Sequence, residues 1–205
     1  MARFTNQAQL RYGNAVTNSN IAVGEILEVL SATKTAVRNT YGQSDTVTYI
    51  VSIVNSGTTP ITGISVTDNL GEYTFGTTTL VPLTYIEGTV KYYVNGVLQP
   101  SAVVTAGPPL VVSGITVPAG GSVTVAYEAA VNEFAPLDTT SVINNTAIVA
   151  GTGITPITAE EEITVESTPV LTRTKSVSPV PVTEYGTRTF TCFIQECGNV
   201  AADAA

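Results

Sequence analysis

A chain of 205 residues has room for one or two domains and can bury a real core without disulfide staples. Hydrophobic residues make up 43% and charged residues 12%, the reverse of a disordered chain; the net charge of −8 and pI of about 4.4 exclude the clustered Lys and Arg of a nucleic-acid or anionic-membrane binder. With no histidine and two cysteines, Cys192 and Cys197, neither a His-based triad nor a zinc site on His or Cys ligands can be built, and no cofactor or metal is expected.

From the N-terminus, residues 1–7 lack an apolar h-region and read as no signal peptide, and no apolar run along the chain is long enough to span a membrane. Thr5–Tyr12 reads as a strand with Asn6, Ala8, Leu10 and Tyr12 on one face. Asp45–Asn55 alternates, with Val47, Tyr49, Val51 and Ile53 on one side, and Ile61–Asp68 does the same with Ile64 and Val66. Residues 55–60 and 118–121 are turns, and Thr89–Gln99 reads as a hairpin because Asn95-Gly96 suits the positive φ angles of a type I′ turn. Leu110–Thr116, Ser122–Val131 and Val142–Ala150 complete the series. Tyr127–Leu137 has some helical character, but a strand followed by a loop fits it better. Many short strands with regular turn signals predict an all-β, immunoglobulin-like antiparallel sandwich.

An internal repeat organises these strands. A shift of 141 residues lays Thr33 and Lys34 on Thr174 and Lys175, Thr46–Ile53 on Thr187–Ile194, and Gly57 on Gly198. At the other end, Asn145–Val149 is similar to Asn6–Leu10. Residues 1–29 are therefore a closing-strand-like segment and linker, residues 30–166 a complete repeat, and residues 167–205 the opening of a further one. That last unit cannot close a sandwich alone and is expected to fray or to be completed from elsewhere. Cys192 and Cys197, five apart, fall on opposite faces of an extended strand and are expected as free thiols.

Thr33-Lys34-Thr35, Ser44 and Asp45 with the Thr46–Tyr49 run, Val54–Thr59, Ser65–Asp68 and Asn145–Ala147 together resemble the DUF11 conserved repeat of bacterial and archaeal surface proteins. The match covers the middle unit from end to end and the head of the last one. The resemblance implies an immunoglobulin-like sandwich, tandem arrays, a cell-surface or stalk role outside the cell, and no enzyme. One departure is that Asn55-Ser56-Gly57 is matched by Glu196-Cys197-Gly198.

Strand parity also marks a constellation. Lys34 shares a face with Leu30, Ala32 and Ala36; Asp68 with Ile64 and Val66; Asn145 with Ile143, Ala147 and Val149. Three polar side chains thus point into an apolar interior, where each needs a partner. One reading is a buried Lys–Asp pair with Asn as hydrogen-bond partner. The other is a self-formed isopeptide bond: the Lys34 amine attacks the Asn145 side-chain carbonyl, Asp68 polarises that carbonyl and shuttles protons, and ammonia leaves. This is similar to Gram-positive pilin and adhesin domains, in which a first-strand Lys joins a last-strand Asn. Asn144 points outward and is the weaker candidate.

Other polar features read as inert: Glu160–Glu162 as a solvated strand-flanking run, Asn144–Thr146 as a chance glycosylation sequon, and Tyr85, Tyr92 and Tyr93 as cross-strand packing. The sequence therefore predicts a structural spacer or filament repeat at the cell surface. The alternative is an adhesin-type module whose loops recognise a glycan or protein of a cell wall or host surface. A hydrolase finds no nucleophile with a base. The expected partners are further copies, joined head-to-tail through the N-terminal strand and the C-terminal unit, where Asn6 and Lys175 repeat the Asn145 and Lys34 positions; the alternative is that the N-terminal strand packs on its own middle unit and the tail is disordered.

Overall fold

The computed structural model describes residues 2–26, 28–100, 102–166, 171–178, 180–181 and 183–196. Among them every regular element is a strand, and no helix is long and apolar enough to cross a membrane. Val170, Cys197 and Gly198 lie outside the described residues.

The N-terminal residues form two nested ribbons. Strand β1 (Ala2–Asn6) pairs with β4 (Ala22–Ile26), and β2 (Gln9–Tyr12) pairs with β3 (Ala15–Asn18) across a turn at Gly13. The single strand expected over Thr5–Tyr12 is therefore interrupted at Gln7 and Ala8. The physical reason is a one-residue slip in register, between Asn6↔Ala22 and Gln9↔Asn18, that leaves one extra residue on the returning strand.

The central unit is a sandwich of two sheets. In the first, β5 (Leu30–Ala36), β7 (Thr46–Asn55), β16 (Ser122–Val131), β12 (Lys91–Val94) and β13 (Val97–Leu98) lie side by side, and β11 (Leu83–Tyr85) also pairs with β16. In the second the order is β14 (Val103–Thr105), β15 (Leu110–Val117), β8 (Ile61–Asp68), β17 (Val142–Ala150), β18 (Ile157–Val165) and β6 (Thr40–Tyr41). The short ribbon β9 (Tyr73–Phe75) with β10 (Thr78–Leu80) stands apart. Pairings in the sandwich are antiparallel except the edge contact of β18 with β6, which is parallel.

Period-two burial produces the core. Val47, Tyr49, Val51 and Ile53 of β7 and Val123, Val125, Tyr127, Ala129 and Val131 of β16 turn inward, with their neighbours in between half-exposed. Ile64 and Val66 of β8 and Ile143, Ala147 and Val149 of β17 face them from the other sheet. The Asn95-Gly96 turn has φ of 49° and 80°, as the type I′ reading requires. Glu160–Glu162 do not flank a strand but occupy the middle of β18, a strand the sequence reading lacked.

Beyond the sandwich, β19 (Leu171–Ser178) pairs with β20 (Thr189–Glu196). Lys175 stands opposite Cys192 as Lys34 stands opposite Val51, and Leu171 opposite Glu196 as Leu30 opposite Asn55. Each pairing is displaced by the 141 residues of the sequence repeat. The Lys34 Nζ lies 4.9 Å from the Tyr49 ring centre, and the Lys175 Nζ lies 4.9 Å from that of Phe190, the equivalent position. At the N-terminus, Asn6 stands opposite Ala22 as Asn145 stands opposite Glu161. Cys192 is an exposed free thiol.

A candidate cross-linking site in the sandwich core

Four polar side chains meet where the two sheets face each other. Lys34 is the one fully buried residue of β5, an edge strand whose other inward positions, Leu30, Ala32 and Ala36, are half-buried. Asp68 ends β8, Asn145 sits in the middle of β17, and Tyr127 sits in the middle of β16. The Lys34 side chain is 0% exposed and that of Asp68 1%. The structure thus brings together all three residues singled out by parity, and Asn144 is exposed on the outer face.

The Lys34 Nζ donates to Asp68 Oδ2 at 2.5 Å, and the Tyr127 hydroxyl donates to the same oxygen at 2.5 Å. The Asn145 Nδ2 in turn donates to the Tyr127 oxygen at 3.2 Å. No hydrogen bond joins Asp68 to Asn145 in this arrangement, so the contact through which a protonated Asp68 would polarise that carbonyl is not made here. A backbone group polarises it instead: the Gly71 N–H donates to Asn145 Oδ1 at 3.1 Å, while the Leu70 N–H donates to Asp68 Oδ1 at 3.0 Å. Both donors come from the turn after β8, where Leu70 (φ 56°) and Gly71 (φ 76°) are left-handed. Asn69 ties this turn to β17, since its Oδ1 accepts from Gly71 N–H at 3.0 Å and Thr146 N–H at 2.9 Å. At Gly71 a Cβ would lie 2.6 Å from Ile143 Cγ2, so only glycine brings this N–H to Asn145.

Burial lowers the Lys34 pKa from 10.5 to about 8, against the opposing pull of Asp68 and, more weakly, of Glu161. Glu161 sits opposite Asn145 across the β17–β18 pair, half-buried on the same inward parity as Ala159 and Ile163. Burial also pushes the Tyr127 and Tyr49 hydroxyls well above their usual range, so both keep their protons. The two rings stack at 5.7 Å between centroids, and the lysine amine lies over that of Tyr49. The Tyr49 hydroxyl is buried without a hydrogen-bond partner, although the nearby Asn145 side chain favours its ionised form.

The site therefore holds an amine whose burial eases the loss of its proton, a carboxylate hydrogen-bonded to that amine, and a carboxamide whose oxygen is already held by a backbone donor. Tyr127 and Gly71 were not singled out from the sequence, and Glu161 was read only as part of a solvated run. Alternation over 123–131 does place Tyr127 inward, and a buried tyrosine needs a partner for its hydroxyl, which is the signal that could have found it.

No family model matches the chain, and no curated protein matches it, so the DUF11 resemblance rests on the residues alone. Solved structures do match. A variant of BcpA, the major pilin subunit of Bacillus cereus, aligns over 96% of this chain and 64% of its own, with a TM-score of 0.52 and 11% identity. The full-length major pilin SpaD of Corynebacterium diphtheriae aligns over 78% of this chain and 40% of its own, with a TM-score of 0.49 and 16% identity. The fold is an immunoglobulin-like β-sandwich, similar to that of BcpA. The chain spans less than two thirds of the length of either pilin.

Proposed function

We propose that this chain is a structural repeat of a bacterial surface filament or stalk, and that its central sandwich is locked by a self-formed isopeptide bond between Lys34 and Asn145. The observation that carries the reading is the Lys34–Asp68–Tyr127–Asn145 cluster, which joins the first strand of the sandwich to its closing hairpin inside an apolar core. A hydrogen-bonded network alone adds little stability to a core, since ion pairs there at best roughly break even against apolar residues. A covalent tie between the two ends of a domain resists pulling along the chain, which is what a filament subunit needs. The bond is made once per chain, so the reading is structural rather than that of an enzyme.

In the same reading residues 1–29 close one repeat, residues 30–166 form a whole one, and residues 167–205 open the next. The matching registers at both ends and the Lys175–Phe190 contact support it. The finer assignment to the DUF11 class, the surface location and assembly with further copies belong to this reading. The test is intact mass under denaturing conditions. The wild-type chain is expected to be lighter than its sequence by one ammonia, and Lys34→Ala and Asn145→Ala each restore the full mass. A wild-type mass without the loss refutes the bond.

A second reading, an adhesin-type module, is favoured by one feature. An open, mainly apolar cleft of about 600 Å³ is lined by Leu70, Leu80, Val81, Leu83, Tyr85 and Phe134, among others. A glycan and matrix-protein array separates it from a purely structural role.

A further inference from the structure

We infer that Tyr127 is a catalytic residue of the cross-linking reaction, carrying a proton from Asp68 to the nitrogen that leaves Asn145 as ammonia. The inference rests on the Lys34–Asn145 bond proposed above.

The argument begins with what the leaving group needs. An amide nitrogen cannot depart as an anion, so it must be protonated as its bond to carbon breaks. Asp68 is the acid of the site, yet it does not reach that nitrogen. Its Oδ1 accepts from the Leu70 N–H, and its Oδ2 accepts from Lys34 and Tyr127. The group at the Asn145 Nδ2 is the Tyr127 hydroxyl, 3.2 Å away. That hydroxyl donates to Asp68 Oδ2 at 2.5 Å, so the chain Lys34 Nζ, Asp68 Oδ2, Tyr127 Oη, Asn145 Nδ2 is continuous from nucleophile to leaving group. The carbonyl oxygen has no call on the acid, because the Gly71 N–H already holds it at 3.1 Å and remains in place to stabilise the oxyanion. Burial keeps the phenol protonated, as a relay requires.

The protons balance along this path. The Lys34 ammonium gives one proton to Asp68 Oδ2, and the neutral amine attacks the Asn145 Cγ, forming the Nζ–Cγ bond and an oxyanion on Oδ1. Tyr127 passes its proton to Nδ2 and takes the one on Asp68. The Cγ–Nδ2 bond then breaks, the oxyanion collapses to a carbonyl, and ammonia leaves. The second proton shed by Nζ returns to Asp68, which ends protonated beside the new secondary amide. Nothing outside the four side chains and the turn is consumed.

Tyr127→Phe tests this, because it removes the oxygen and keeps the ring stacked on Tyr49. Chain newly made by cell-free translation is sampled over time and its intact mass read for loss of ammonia. The variant is expected to cross-link about a hundredfold more slowly than wild type, the contribution typical of a positioned acid. Cross-linking at the wild-type rate overturns the relay while leaving the bond itself standing. An unshifted wild-type mass removes both. To separate chemistry from packing, fluorinated tyrosines of increasing acidity are placed at position 127 alone. The rate is expected to change about threefold or more across the series, as Brønsted behaviour demands. A flat series overturns the proposal even if Tyr127→Phe is slow or fails to fold.

Discussion

A double-mutant cycle on Lys34 and Asn145 distinguishes a covalent tie from a hydrogen-bonded network. Relative to the uncross-linked protein, Lys34→Met breaks a buried ion pair and strands Asp68, which is 1% exposed, at a cost of about 3–5 kcal/mol. Two remaining donors, Leu70 N–H and the Tyr127 hydroxyl, pull this toward the lower end. Asn145→Ala removes one of two acceptors of the Gly71 N–H and costs about 1 kcal/mol through that bond, because Asn69 keeps the other. Each variant also loses the cross-link. That bond closes a loop of roughly a hundred residues, worth about 5 kcal/mol by the chain-entropy argument used for disulfides. The double variant loses the cross-link only once. The two single losses should therefore exceed the double loss by about 5 kcal/mol. Without the bond, coupling passes only through Asp68 and Tyr127 and should stay near 1 kcal/mol. The assay is urea unfolding followed by circular dichroism for the four proteins. The cross-linked wild type should also show a smaller m value, since its unfolded chain stays more compact. A coupling below about 3 kcal/mol with one common m value refutes the covalent reading.

Two further outcomes follow from the same geometry. In Asn145→Ala, where no cross-link can form, the folded Lys34 releases its proton near pH 8 but the unfolded one near 10.5. The unfolded chain then binds more protons in that interval, so stability should rise with pH above about 8, by at most about 3 kcal/mol. Above pH 10 the trend reverses, because the buried tyrosines stay protonated while those of the unfolded chain ionise. Chemical denaturation from pH 7 to 11 reads both limbs, and a curve flat from 8 to 10 would contradict the burial argument. Gly71→Ala should lower stability by about 2–4 kcal/mol, combining a left-handed φ of 76° with a Cβ 2.6 Å from Ile143 Cγ2. It should also slow cross-linking by displacing the N–H from Asn145, and a melting temperature equal to wild type would count against it.

Strand alternation is strict enough that one residue type at the wrong parity is informative, and this is why Lys34, Asp68 and Asn145 are legible in the sequence. The same rule explains what was missed. In β18 the inward series runs Ile157, Ala159, Glu161, Ile163, Val165, and a glutamate in the central slot hides the period. The structure supplies the reason for that slot: Glu161 faces the site across from Asn145 and acts on the Lys34 charge. Tyr127 was hidden differently. A tyrosine in an alternating apolar run reads as core, and which polar atom its hydroxyl meets depends on how two sheets pack, which no single strand encodes. The turn at Leu70 and Gly71 was hidden because a backbone N–H has no letter of its own in the sequence. The repeat then separates the roles of the two tyrosines. At the position equivalent to Tyr49 the last unit carries Phe190, yet its ring lies under Lys175 at the same distance. The lysine therefore uses the ring and not the hydroxyl, which agrees with a Tyr49 oxygen buried without a hydrogen bond. The tyrosine whose oxygen is hydrogen-bonded is Tyr127, in a strand to which β19 and β20 have no counterpart.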